Sequence, residues 1–210
     1  LAVVWPLAGI DVPSLRRDIA WAAVGLSNWG TISGGGDYWA RFGDPSPVTH
    51  FWSLAIEQQF YLVWPLVLVG LIAVATRVRL AVALVSVAGA IASVVLMNVM
   101  FDPVDPTATY MNTFTRAHTL LIGAAAGALT SVLADGRLRF GAQARRVAPV
   151  AVAVVLAIVL VSSERSAWLF SWGFPAFALA MVVVVVAVAD GLGAPVMSAP
   201  PMRWLADRSY

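Results

Sequence analysis

The chain repeatedly runs apolar over distances suited to a lipid bilayer. Phe51 to about Ala75, Leu80 to Phe101, Ala117 to Ala134, Val147 to Val161 and roughly Ala167 to Ala189 are almost free of charge, and arginine, aspartate, proline or serine punctuates them. A hydrocarbon core about 30 Å thick takes about 20 such residues as one helix. Inside lipid the backbone must satisfy its own hydrogen bonds, which favours helices. Composition agrees: 60% of the 210 residues are hydrophobic and 11% charged, against about 25% charged in soluble domains. The sequence therefore predicts an all-α, polytopic transmembrane helix bundle of about five to six membrane segments.

A further segment, residues 14–32, follows the break at Pro13 and is rich in Ala and Trp. Its apolar part is short for a full crossing, so it is read as tilted, flanked by snorkelling residues, or interfacial. The stretch from Ser33 to Thr49, with Gly34-Gly35-Gly36, Asp37, Asp44, Pro45 and Pro47, has no helical period and belongs in water. Asp102 to Thr115 is a second polar connection, and Asp135 to Arg146 and Ser162 to Ser166 are further ones. Pro65 should kink the helix that contains it. Gly123 and Gly127 share a face that either allows close helix contact or reflects ordinary glycine enrichment in membranes. The apolar start and the abrupt end at Tyr210 are read as both ends truncated, an internal fragment of a longer protein.

Arginines orient the bundle, because cytoplasmic loops carry their excess. Ten lie on one side (Arg16, Arg17, Arg77, Arg79, Arg137, Arg139, Arg145, Arg146, Arg203, Arg208) and three on the other (Arg41, Arg116, Arg165). The larger group marks the cytoplasmic face, and Trp29, Trp39, Trp52, Trp168 and Trp172 then gather at the outer interface. The formal net charge of +2, without lysine, is too small to suggest a nucleic-acid partner, and none is expected. With no cysteine and two histidines there is no disulfide framework, thiolate nucleophile or evident metal site.

Against this apolar background one segment is unusual. His50, Ser53, Glu57 and Tyr61 recur at steps of three, four and four, a polar stripe on one helical face. An ionisable group in a membrane-length apolar segment marks a functional site by default. Arg116 opens a helix, where a cation opposes the local dipole, so a partner is expected: Glu57, or a substrate phosphate or carboxylate. The alternative for Arg116 is an interfacial snorkelling cation. His118, two residues on, reads as a satisfied polar residue rather than a base, and His50 as a cap or interface ligand.

The run from Thr49-His50-Phe51-Trp52-Ser53-Leu54-Ala55-Ile56-Glu57-Gln58-Gln59-Phe60-Tyr61 to Leu62-Val63-Trp64-Pro65-Leu66 closely resembles the hallmark of the acyltransferase family 3 membrane proteins. Weaker matches follow the family's order: Ser27-Asn28-Trp29, Gly35-Gly36-Asp37-Tyr38, Tyr110 to Gly123, and Pro201 to Tyr210. The resemblance covers residues 1–210 as a partial membrane domain, with the family's first catalytic helix and its last helices missing. It implies transfer of an acyl group, acetyl in the first instance, from acyl-CoA to a hydroxyl of an extracytoplasmic glycan or glycolipid. The principal catalytic histidine of the family would lie upstream of Leu1, so the fragment alone is expected to be inactive. Where many relatives have Trp-Glu, this chain has His118-Thr119, and no role for that Glu transfers.

On this reading Glu57 is catalytic, as a base or as the support of a histidine or arginine; Ser53, Tyr61, Arg116 and His50 are substrate-binding candidates. The resemblance further implies no permanently bound cofactor, with acyl-CoA as donor substrate. The partners are the lipid bilayer, acyl-CoA and the glycan acceptor, and the location is the bacterial cytoplasmic (inner) membrane. The rival is a transporter or channel in which Glu57 and Arg116 relay ions or protons.

Overall fold

A computed structural model describes residues 12–34, 48, 50–134, 140–163 and 166–208. The glycine-rich loop beyond Gly34, Trp39, Arg41, Arg137, Arg139, Arg165 and residues 1–11 lie outside the described residues. The described elements are helical in this order: α1 (Val12–Ala23), α2 (Ser27–Ser33), α3 (Phe51–Val74), α4 (Val78–Met100), α5 (Thr107–Met111), α6 (Thr113–Ala134), α7 (Phe140–Val161), α8 (Phe174–Ala189), α9 (Ala194–Met197) and α10 (Pro200–Ala206). Among them α3, α4, α7 and the Leu169–Ala189 helix that ends in α8 are long and apolar enough to cross a membrane. With α6, of 22 residues, they form the expected multi-pass helical bundle.

The 14–32 segment is two helices, not one. Gly25, with φ +69°, takes the left-handed conformation that glycine adopts at no steric cost. It thereby ends α1, and α2 turns back. Trp21 then lies over Gly30, where a Cβ would sit 2.5 Å from the ring. Neither helix alone reaches the length of a crossing. Without Arg16 and Arg17, eight arginines still oppose three in the count across α3 to α8.

Packing of the long helices follows small residues. Along α4, Ala83, Ser86, Ala90, Ser93 and Met97 are buried at alternating steps of three and four, a face on which α6 packs closely. In membranes such small stripes let backbones approach, because lipid supplies no hydrophobic drive to pull helices together. On α7, Ala144, Ala148 and Ala151 do the same against α8. The helix α7 begins at Phe140 rather than Val147, which puts Pro149 in its interior instead of its first turn. Its N-terminal end is joined to the C-terminal end of α8 by an ion pair of 2.9 Å from Arg145 Nε to Asp190.

The opposite end of the bundle holds the aromatic core. Met97, Ile158, Leu169 and Phe170 are buried together, with Phe101, Tyr110, Trp168 and Phe174 packed around them. A π-helical turn, Leu169–Gly173, leads into α8. Pro175 has no N–H for the carbonyl of Ser171. Asn98 Nδ2 of α4 donates to that carbonyl instead, at 3.3 Å, so the break is repaired by a neighbouring helix as lipid demands. Pro65, by contrast, sits within an uninterrupted α3.

Candidate functional site

The family-like segment forms α3, and its two faces have different surroundings. Trp52, Ala55 and Ile56 are buried. Trp52 and Ile56 pack with Met111, Ile32 and Leu120, and the rings of Trp52 and Tyr110 meet at a tilt of 52°, their centroids 5.0 Å apart. The opposite face carries the polar stripe, and His50, Ser53, Glu57 and Tyr61 are all exposed on it. Its one hydrogen bond among the described residues is local, from Ser53 Oγ to the carbonyl of His50 at 3.3 Å. His50 occupies the N-cap position but makes no side-chain cap bond.

The inward polar group of this helix is Gln59. Two residues from Glu57, it lies about 200° around the helix. Its Nε2 donates to the carbonyl of Gly25 and to Asn28 Oδ1, both at 2.9 Å. Its Oε1 accepts from Thr113 Oγ1 at 2.6 Å and from Trp29 Nε1 at 3.3 Å. Asn28 is fully buried and donates in turn to the Met111 carbonyl (3.1 Å) and to Thr113 Oγ1 (2.9 Å). One amide thus ties the α1–α2 turn, α2, α3 and the start of α6 together. A signal for it existed: a second amide two residues after the carboxylate must fall on the other face, and a buried amide needs partners.

The start of α6 is built with equal care. Asn112 Oδ1 accepts from the backbone N–H of Phe114 at 2.8 Å, an N-cap bond. Thr115 Oγ1 lies 2.5 Å from the Thr109 carbonyl and 2.9 Å from that of Asn112. The expected connection Asp102 to Thr115 is therefore partly helical, holding α5 and the first turn of α6. The guanidinium of Arg116 lies over two adjoining rings, 5.0 Å from the centroid of Tyr110 and 4.7 Å from that of Phe174, which are themselves 6.0 Å apart. Its Nη1 is buried without a hydrogen-bond partner.

The expected ion pair with Glu57 is not formed. Glu57 is on the exposed face of α3, whereas the aromatic rings holding Arg116 lie on the inner side, beyond Trp52. Among the described residues the cation has π-faces as neighbours and no carboxylate within ion-pair distance. A desolvated cation over two rings gains about 2 kcal/mol or more, which compensates part of what a carboxylate would supply.

His118 is fully buried against α4. Its backbone N–H donates to Ser93 Oγ at 2.9 Å, and its Nδ1 lies 2.7 Å from the Thr115 carbonyl. A carbonyl can only accept, so Nδ1 carries the proton and Nε2 is the bare nitrogen. That Nε2 is buried with no partner. The reading of His118 as a satisfied polar residue holds for one ring nitrogen and not for the other. Among the described residues no group of histidine and carboxylate side chains could hold a metal ion.

Comparison with known proteins gives one consistent group of relatives. The chain is 33% identical over 207 residues to the Bacillus subtilis (strain 168) protein YrhL, provisionally named a peptidoglycan O-acetyltransferase, covering 94% of this chain and 32% of that protein. It is 32% identical over 206 residues to the peptidoglycan O-acetyltransferase OatA of Listeria monocytogenes, again 94% of this chain and 32% of the relative. Against the O-acetyltransferase OatA of Staphylococcus aureus (strain NCTC 8325 / PS 47) the figures are 27% over 201 residues, 93% and 33%. The chain thus spans about a third of the length of the relatives it matches. No family model matches it, and no solved structure does.

Proposed function

We propose that this chain, which is of the acyltransferase family 3 type as its O-acetyltransferase relatives bear out, forms part of a membrane enzyme that acetylates hydroxyls of a cell-surface glycan. Peptidoglycan is the acceptor named for two of the relatives, and we extend it to this protein. The observation that carries the reading is similarity sustained over 94% of the chain.

Transfer of an acetyl group to a sugar hydroxyl needs a base for the hydroxyl proton and donors for the oxyanion that forms at the carbonyl. In this reading Glu57 supplies the base or supports it, Ser53 and Tyr61 offer hydroxyls one turn to either side, and His50 stands at the outer end of the stripe. The carboxylate lies about 9 Å along α3 from its first residue. Facing lipid it would be strongly disfavoured, so its exposed face calls for water, substrate or further protein against it. Acyl-CoA is the donor we favour, in the bacterial cytoplasmic membrane, with no permanently bound cofactor.

The relay reading needs Glu57 and Arg116 to exchange charge, and the two are held on different sides of α3. The test is to express the full-length protein in a bacterium lacking glycan O-acetylation and to measure acetate released by mild base from purified wall material. Ester-linked acetate is expected, together with incorporation from labelled acetyl-CoA in isolated membranes. A protein that inserts normally yet leaves the wall free of ester-linked acetate refutes the proposal, and incorporation only from another donor refutes the acyl-CoA part alone.

A further inference from the structure

The rotation of α3 about its own axis decides where Glu57 faces. Among the described residues of α3, only Trp52, Ala55 and Ile56 are buried, and Leu62 to Val74 carry no hydroxyl, amide or charge. Lipid is as apolar as these side chains and so gives the helix no preferred rotation, whereas in water the contrast between a polar and an apolar face would set it. Trp52 and Ile56 pack with Met111 and Ile32, apolar contacts without directional preference.

Gln59 is directional. Its Nε2 donates at 2.9 Å to the Gly25 carbonyl and to Asn28 Oδ1, while its Oε1 accepts from Thr113 Oγ1 at 2.6 Å and from Trp29 Nε1 at 3.3 Å. These partners belong to the α1–α2 turn, to α2 and to α6, and Asn28 is itself tied to the Met111 carbonyl at 3.1 Å. With its side chains a helix is about 10–12 Å across, so a turn of about 30° moves its outer atoms by about 3 Å. A hydrogen bond is itself only about 3 Å long, so all four bonds are made together at one angle of α3. The same turn carries Glu57, about 200° around the helix, by a similar distance of about 3 Å. Misplacing a reacting group by about 1 Å can lower a rate about hundredfold.

We propose, resting on the acetyltransferase reading, that Gln59 is a positioning residue for acetyl transfer: its four hydrogen bonds fix the rotation of α3 and thereby the direction in which Glu57 faces. Asn28 is its main support, because it is fully buried and holds one acceptor against the Gln59 amide. Neither amide needs to touch the substrate. Fixing register is the best-attested use of a buried polar side chain, and a helix that lipid leaves free to turn has the greatest need of it.

Two measurements on the full-length protein, made below the melting midpoints of all variants, separate the angle from the chemistry. The first is double electron–electron resonance between spin labels on Glu57→Cys and Leu160→Cys, the latter an exposed position of α7; this chain has no cysteine of its own, and any elsewhere is replaced by serine. Adding Gln59→Leu should shift or broaden that distance by about 3 Å or more, whereas Gln58→Leu should leave it unchanged. A reference pair, Val99→Cys on α4 with Leu160→Cys, both exposed, should not respond to Gln59→Leu. Thr113→Val, which removes the 2.6 Å bond, replaces Gln59→Leu if the latter fails to insert. The second measurement is glycan acetylation per folded protein with Glu57 intact, expected to fall at least about tenfold in Gln59→Leu. An unchanged α3 distance or undiminished acetylation per folded protein overturns the proposal, and so does equal broadening of the reference pair, which would make the role one of general stability. A wild-type protein that acetylates nothing refutes the acetyltransferase reading and with it the positioning of a base, while the spin distances still decide whether Gln59 sets the angle.

Discussion

Replacing Gln59 by leucine should unlock the outer end of the bundle. The change keeps the volume and removes four hydrogen bonds, those to the Gly25 carbonyl, Asn28, Thr113 and Trp29. Within membrane proteins a side-chain hydrogen bond averages about 0.6 kcal/mol and reaches about 1.7. Four bonds therefore give roughly 2–4 kcal/mol, with the buried Asn28 Oδ1 losing its amide partner and pushing the value upward. For a chain of this size each kcal/mol lowers the melting temperature by about 2–4 °C, a fall of roughly 5–15 °C. The assay is thermal unfolding of the full-length protein in lipid–detergent micelles, followed by the fluorescence of Trp29 and its neighbours. Gln58→Leu, one residue away on the exposed side, should shift the midpoint by no more than about 2 °C. Equal midpoints for Gln59→Leu and wild type would refute the hub role of that amide.

Glu57→Gln should leave that midpoint within about 2 °C, because the carboxylate is exposed with no partner among the described residues, while glycan acetylation falls at least about tenfold. Wild-type acetylation in this variant would remove Glu57 from the chemistry. Phe170→Ala empties the 1%-exposed centre of the outer aromatic core and should cost roughly 2–3 kcal/mol, less than in a water-soluble core because the unfolded side chain stays in lipid; an unchanged midpoint would show that the cluster does not hold α4 to α8. Asp190→Asn breaks a pair whose side chains are 47% and 40% exposed, so the loss should stay below about 1 kcal/mol. A larger effect would mean that this end is more enclosed than its exposure indicates.

Hydropathy alone located the crossings, because length and apolarity are what lipid selects. The resemblance in the His50 to Pro65 run needed no coordinates either. Boundaries shifted where local chemistry intervened: Gly25 divides the first segment, Asn112 starts α6 before Ala117, and α7 reaches back to Phe140 through its arginines. None of these interrupts an apolar run strongly enough to be read from hydropathy.

The sequence could not determine which side of α3 faces the protein. In water an amphipathic stripe answers that question, but a helix apolar all round gives no such contrast. Polar spacing drew attention to Glu57, whereas the fold turns Gln59 inward and leaves Glu57 on the outer surface. Arg116 was legible as a cation needing a partner. That its neighbours are Tyr110 and Phe174 rather than Glu57 was decided by tertiary structure, since only the packing of α5, α6 and α8 sets two rings against one guanidinium.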